Sequence, residues 1–197
     1  MSYIIAGLGN PGEEFEGTRH NTGRMVVEAL AKKFSFSEFK DTPKIKARTS
    51  TGAIEKENIQ LVEPDNYMNR SGVSLAPLIT SVKKAQNLIV VYDDLDLPLG
   101  TLKVSYNRSA GGHRGLDSII KALKTQEFIR VRVGISPVTP SGKIKKPSGD
   151  DAVDKHIIGQ FKKPELDILK KVIKQAVEAV EVIVTEGKEA AMGKFNI

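Results

Sequence analysis

The chain holds three histidines and no cysteine. Imidazole is the side chain whose charge changes near neutral pH, so His20, His113 and His156 are the natural candidates for proton transfer. His20 lies in Thr18-Arg19-His20-Asn21, and His113 lies in the glycine-rich stretch Gly111-Gly112-His113-Arg114-Gly115. His156 stands beside Ile157 and Ile158, where packing is its expected role. A lone histidine is usually structural, and His20 rises above that base only with an acidic partner. Asp93-Asp94-Leu95-Asp96 supplies candidates. Three carboxylates also suit a solvated turn or a magnesium site, although Leu95, Leu97, Pro98 and Leu99 argue that part of this loop packs. Two amides complete the set. Asn10 ends an apolar run, and Asn69, in Tyr67-Met68-Asn69, precedes Ser71-Gly72, where asparagine is either ordinary turn chemistry or a functional group. No Ser or Cys nucleophile is in view. This composition suits base-assisted attack of water on a carbonyl: His takes the proton, Asp fixes the His tautomer, and the Asn amides position water or hold the oxyanion.

Those side chains need elements to carry them. Tyr3–Leu8 and Leu88–Val91 read as apolar strands, the first stopped by Gly9-Asn10-Pro11-Gly12 and the second by the acidic loop. Two strands ending at one sheet edge bring His20 and Asp93 together. Thr22 is placed to cap a helix with Met25, Val26, Ala29, Leu30 and Phe34 on one face. Lys44–Ala53 and Asn58–Val62 read as a hairpin. Ser71–Val82 reads as a helix weakened by Pro77. Thr101–Tyr106 alternates as a strand, and Leu116–Leu123 as a short helix. Phe128–Ile135 alternates with Arg130 and Arg132 on one face. Ser136–Asp151, rich in Pro and Gly, is expected to be a mobile loop. Pro164 opens the longest helix, to about Thr185, with Leu166, Leu169, Val172, Ile173, Ala176, Val180, Ile183 and Val184 apolar. The expected fold is α/β: a single domain over 1–197, with a twisted mixed β-sheet flanked by helices.

Composition narrows the partners. Lys and Arg number 30 against 24 Asp and Glu, a net charge of +6 over 197 residues. That surplus suits a polyanion such as RNA, although many basic proteins bind none. With no Trp and 6% aromatics, base stacking is not the expected main mode of binding. The absence of Cys excludes disulfides, Cys-ligated zinc and thiol nucleophiles. No apolar run approaches the roughly 18 residues of a membrane span, and Met1-Ser2-Tyr3-Ile4 carries no basic n-region of a signal peptide; the expected location is cytoplasmic. Gly7-Leu8-Gly9-Asn10-Pro11-Gly12 matches the G-x-G-x-x-G dinucleotide motif. A helix should begin within it, yet Glu13, Glu14 and Glu16 follow, placing carboxylates where a pyrophosphate would sit. A dinucleotide-dependent oxidoreductase therefore has only this motif behind it.

Five motifs in one order resemble the bacterial-type peptidyl-tRNA hydrolases: Gly7–Gly12, Thr18–Asn21, Tyr67–Asn69 with Ser71-Gly72, Asp93–Pro98, and Gly111-Gly112-His113. Arg132-Val133-Gly134-Ile135 extends the likeness over nearly the whole chain. The resemblance implies a monomeric α/β hydrolase without cofactor or metal, cleaving the ester between a peptide and the 3′ ribose of tRNA. It implies His20 as general base, Asp93 as its orienting acid, and Asn10 in selecting peptidyl-tRNA over free aminoacyl-tRNA. Asn69 would hold the water or the tRNA 3′ end, Phe15 and Tyr67 would touch that end, His113 would line the entrance, and Arg132 would grip the 5′ phosphate. Four residues depart from the family pattern: Phe15 for Tyr, Tyr92 for His, Ser105 for a phosphate-binding Lys, and Arg114 for Asn. Lys103 or Arg108 is a candidate to replace the missing cation, and Arg114 to exchange an amide contact for an ionic one. A second reading is an RNA-binding relative of the family with weak or no hydrolysis.

Overall fold

The computed structural model describes residues 2–196, so the first and last residues of the expected domain lie outside the described residues. The apolar run at the N-terminus forms β1 (Ser2–Gly7). α1 (Thr22–Lys33) follows, with Val26, Val27 and Leu30 buried. Asn21, not Thr22, occupies the cap position; Thr22 lies inside the first turn and its hydroxyl donates to the Arg19 carbonyl at 2.7 Å. β2 (Lys40–Thr42), β3 (Ala47–Ile54) and β4 (Glu57–Pro64) form antiparallel neighbours. The expected helix over 71–82 is two short ones, α2 (Ser71–Leu75) and α3 (Val82–Ala85). Pro77 lacks an N–H and its ring crowds the preceding turn, which accounts for the break.

β5 (Leu88–Pro98) runs straight through the acidic segment expected to be a loop. Its parallel pairing with β7 (Ile129–Ser136) continues to Asp94 and resumes at Pro98 after an irregularity. Gly134 permits this, because a Cβ there would strike the Pro98 carbonyl. β6 (Leu102–Tyr106) pairs antiparallel with β7, and α4 (Arg114–Leu123) lies between them in sequence. Residues 137–149 are irregular apart from a bridge between Val138 and Ile144. α5 (Asp150–Ile157), α6 (Lys163–Glu186) and α7 (Lys188–Phe195) complete the chain. On α6, Leu169, Val172, Ala176, Val180 and Ile183 are buried as their spacing predicts, whereas Leu166 is 40% exposed.

Among the described residues, seven strands form one mixed sheet in the order β2-β3-β4-β1-β5-β7-β6, with β4, β1, β5 and β7 parallel. Strand alternation sends Ile5, Ile89, Val91, Val131 and Val133 into a core with α1 and α6. Ala6, Val62, Val90 and Tyr92 enter a second core with Leu75 of α2 and Leu116 and Ile119 of α4. The carboxyl ends of adjacent parallel strands, with a helix layer on each face, are where open α/β sheets hold their ligands.

The glycines of the first loop are consumed by the protein's own packing. A Cβ on Gly7 would lie 2.5 Å from the Gly23 carbonyl oxygen, and one on Gly9 would lie 2.9 Å from both Arg24 Cδ and Asn21 Oδ1. They admit the start of α1 rather than a pyrophosphate, which removes the remaining support for a dinucleotide site.

Candidate active site

β1 and β5 are adjacent and in register, with Gly7 opposite Val91. Asp93 is the next residue in the alternation of Ile89 and Val91, and so points toward the side of the sheet where α1 begins. His20 sits in the tight turn Arg19–Asn21 just before α1. Its Nδ1 lies 3.0 Å from both oxygens of Asp93. A carboxylate only accepts, so this nitrogen carries the ring proton and Nε2 keeps its lone pair. Both side chains are buried, and both line a pocket of about 400 Å³. Burial alone would push the Asp93 carboxyl up. The facing His20 and hydrogen bonds from His113 and His20 outweigh it and hold the carboxyl well below the usual carboxylate range.

The turn bearing His20 is fixed from both ends. Arg19, buried at 5% exposure, donates to the carbonyls of Gly159 and Gln160 at 3.1 and 2.7 Å and to Glu165 Oε2 at 2.6 Å. That guanidinium ties the turn to the start of α6. Asn21 fixes the other side: its Oδ1 accepts from the Asn10 N–H at 2.8 Å and its Nδ2 donates to the Asn10 carbonyl at 3.0 Å. Asn10 is thereby gripped by its backbone, leaving its side chain to act. Asn10 Oδ1 accepts from the Met68 N–H at 2.7 Å, so the amide is oriented with Nδ2 available as a donor. Sequence reasoning assigned no role to Arg19 or Asn21. The only signal was their place on either side of His20.

His113 departs most from expectation. Instead of only lining an entrance, it turns inward: Nε2 is 3.3 Å from Asp93 Oδ1, and its ring lies 5.2 Å from that of His20 and edge-on to Tyr92 at 4.9 Å. Its Nδ1 accepts from the N–H groups of Gly115 and Leu116 at 3.2 and 3.3 Å, capping α4. His20 Nδ1, His113 Nε2 and an Asp93 oxygen lie within 4.8 Å of one another, close enough to bracket a cation. The donor set does not fit one. With Nδ1 of His113 committed to two backbone donors, the ring proton belongs on Nε2, which then has no lone pair for a metal.

Three cations of the pocket wall are already paired. Arg132 Nε donates to Asp94 Oδ2 at 2.8 Å, Arg114 Nη1 lies 3.3 Å from Asp154 Oδ2 of α5, and Lys146 Nζ lies 2.6 Å from Asp96. Arg132 uses only Nε in that bond, so both terminal nitrogens remain for a ligand. Arg114 was expected to exchange an amide contact for an ionic one; here its guanidinium is shared with Asp154, and both are exposed to solvent. Arg108 lines the pocket with an exposed side chain, while its carbonyl accepts from Arg130. Arg130 is itself 1% exposed, and burial lowers its pKa to about 10. Ser105, facing Arg130 across the strands, has a buried hydroxyl without a hydrogen-bond partner among the described residues. Lys103 pairs across from Arg132 but is exposed and outside the pocket wall.

Asn69, Tyr67 and Phe15 also stand apart from the pocket. Asn69 is exposed in the turn Met68–Arg70. Tyr67 is 62% exposed and meets Phe15 edge-to-face at 6.4 Å, making a small aromatic shelf. Arg24 anchors the base of this segment by donating to the Pro64 carbonyl. His156 packs as expected, its Nε2 donating to the Ile135 carbonyl at 3.1 Å.

Comparison with known proteins agrees over the full length. The family described as peptidyl-tRNA hydrolase matches residues 4–197. A protein named peptidyl-tRNA hydrolase from Thermoanaerobacter sp. (strain X514) is 42% identical over 195 residues, covering 98% of this chain and 99% of its own. One of the same name from Carboxydothermus hydrogenoformans is also 42% identical over 195 residues, covering 98% of each chain. The crystal structure of peptidyl-tRNA hydrolase from Acinetobacter baumannii superposes with a TM-score of 0.87 at 32% identity, covering 98% of this chain and 94% of that one.

Proposed function

The chain belongs to the peptidyl-tRNA hydrolase family, and from that premise we infer how its residues carry out the reaction. The protein hydrolyses the ester joining a peptide, or an N-blocked amino acid, to the 3′ ribose of tRNA, and so returns tRNA for reuse. We propose His20 as the general base. Its Nε2 takes a proton from water as the water oxygen bonds to the ester carbonyl carbon. The tetrahedral oxyanion then collapses, the C–O bond to the ribose breaks, and the imidazolium returns its proton to the departing 3′ oxygen. The products are the free 3′ hydroxyl and a peptide carboxylic acid, which loses its remaining water-derived proton to solvent and leaves as the carboxylate. Asp93 accepts the Nδ1–H throughout and balances the transient imidazolium.

The observation that carries this reading is the bonding of His20: Nδ1 faces both oxygens of a buried Asp93 while the ring lines the pocket. Asn10 would read the substrate's α-nitrogen. With Oδ1 engaged by Met68, it presents an N–H donor. A donor suits the carbonyl of a peptide or blocking group and repels the ammonium of a free amino acid. Phe15, Tyr67 and Asn69 would meet the tRNA 3′ end outside the pocket, with Arg132, assisted by Arg108, Arg114 and Lys103, on phosphate. In that reading His113 lines the entrance. We propose that the protein acts as a monomer. Among the described residues no helix is long and apolar enough to cross a membrane. The protein's substrate, tRNA, is the ground for proposing that it works in the cytoplasm.

The test is Asn10→Asp. The carboxylate still accepts from Met68 but exchanges the free donor for a negative charge. The expected outcome is a fall in the ratio of kcat/KM for N-acetyl-aminoacyl-tRNA over unblocked aminoacyl-tRNA. An unchanged ratio overturns the role given to Asn10. A wild-type protein that binds tRNA tightly yet leaves the N-blocked substrate intact would overturn the mechanism as a whole.

A further inference from the structure

We propose that His113 is a positioning residue, which holds Asp93, and through it the general base, by a proton that the start of α4 locks onto its Nε2. The inference rests on the reading of His20 as base. N-cap positions usually hold Ser, Thr, Asn or Asp, whose short side chains accept from the first free N–H groups of the helix. Here an imidazole does that work. Its Nδ1 accepts from the Gly115 and Leu116 N–H groups, so in the neutral ring the proton must reside on Nε2. That N–H points at Asp93 Oδ1, 3.3 Å away.

The two histidines around Asp93 are therefore in opposite tautomers, each for a reason visible in its surroundings. His20 is protonated on Nδ1 because a carboxylate faces that atom, which frees Nε2 to act as a base. His113 is protonated on Nε2 because helix N–H groups face Nδ1. An imidazolium at His113 would aim a proton at two N–H donors and at the positive end of α4. This removes an ambiguity that two rings 5.2 Å apart would otherwise create, since only His20 keeps an open lone pair. It also explains how Asp93 stays fixed. Asp93 Oδ1 takes donors from β1's side through His20 and from α4 through His113. A proton moving onto Asp93 during turnover would meet two N–H groups, so the proton drawn from water stays on His20. Tyr92, packed edge-on to His113, holds the ring in that plane.

Two substitutions separate capping from positioning. His113→Asn restores an ordinary cap for α4 but is too short to reach Asp93. We expect near wild-type Tm, KM within about twofold, and kcat reduced by about tenfold or more, the kinetic equivalent of one hydrogen bond to a charged group. His113→Gln carries an amide donor further toward Asp93 but caps poorly, so it should lose Tm while recovering part of kcat. A His113→Asn enzyme with wild-type kcat overturns the proposal, as do kcat values that simply follow Tm in both variants. Imidazole ¹⁵N chemical shifts of the wild-type protein at pH 7 give a check independent of folding of the variants. They should report His113 protonated on Nε2, and protonation on Nδ1 would overturn the assignment. His20→Ala, measured alongside, distinguishes the two levels. If it remains active, the reading of His20 as base fails. If it is inactive while His113→Asn is fully active, only the role of His113 fails.

Discussion

The floor and the rim of the pocket are built on different physics. At the floor, the lining residues His20 and Asp93, with Asn10 and Asn21 packed behind them outside the lining, are each 8% exposed or less, and they bond to one another or to backbone. At the rim, Arg114–Asp154 and Lys146–Asp96 are exposed ion pairs, and Arg132–Asp94 is partly so. Buried hydrogen bonds to a charged group fix geometry and are insensitive to salt. Exposed pairs hold little energy and exchange partners readily. A polyanion can therefore displace a carboxylate at the rim without disturbing the floor. In the proposed reading the reaction geometry and the grip on RNA are separable; the departure at Arg114 falls on the exposed side, whereas Ser105 is buried beside Arg130.

Substitutions at the floor should lower kcat, and substitutions at the rim should alter KM and its salt dependence. The largest effect is expected from Asp93→Asn. The Asn amide can donate to His20 Nδ1, which drives the ring proton to Nε2 and abolishes the base. Steady-state kinetics should show kcat down by ~10² to 10⁴, the usual worth of a general base, with KM little changed. Asn21→Ala comes next. It removes both bonds that grip the Asn10 backbone, and the preference for N-blocked over unblocked substrate should fall about tenfold. A loss of Tm with the preference intact would show that Asn21 only supports the fold.

Arg132→Ala should raise KM and reduce the slope of log binding against log salt by roughly 0.7 to 0.9, one phosphate contact. An unchanged slope would return Arg132 to a partner of Asp94 alone. The smallest effect is expected at Arg114. Arg114→Asn should raise KM roughly two- to threefold at low salt, the scale of an exposed ion pair, and the difference should vanish as salt rises. Asp154→Asn should do the opposite by freeing the guanidinium. A salt-independent gain in turnover from Arg114→Asn would mean the lost amide matters more than the charge.

The floor was more legible in the sequence than the rim, and for a physical reason. His20 and Asp93 each follow an apolar strand, and parallel neighbouring strands end together, so pattern alone brings the pair to one edge. The inward turn of His113 is invisible to pattern, because glycines around a histidine suggest an exposed loop and not a helix cap. The path of β5 through Asp93–Asp96 was obscured by its charges. Those charges are tolerated because Arg132 and the Asp96 N–H satisfy Asp94 and Gly134 makes room across the sheet. The pairing of Arg114 was hidden from the sequence because partner choice at the rim is tertiary: Asp154 lies 40 residues from Arg114.

Single-turnover hydrolysis of N-acetyl-aminoacyl-tRNA by His20→Ala, with tRNA affinity measured on the same preparation, tests the central claim most directly. Removal of the base should slow cleavage by ~10² to 10⁴ and leave affinity unchanged, because the rim is untouched. Cleavage at near wild-type rate would contradict the mechanism. Parallel loss of affinity would contradict the separation of floor from rim.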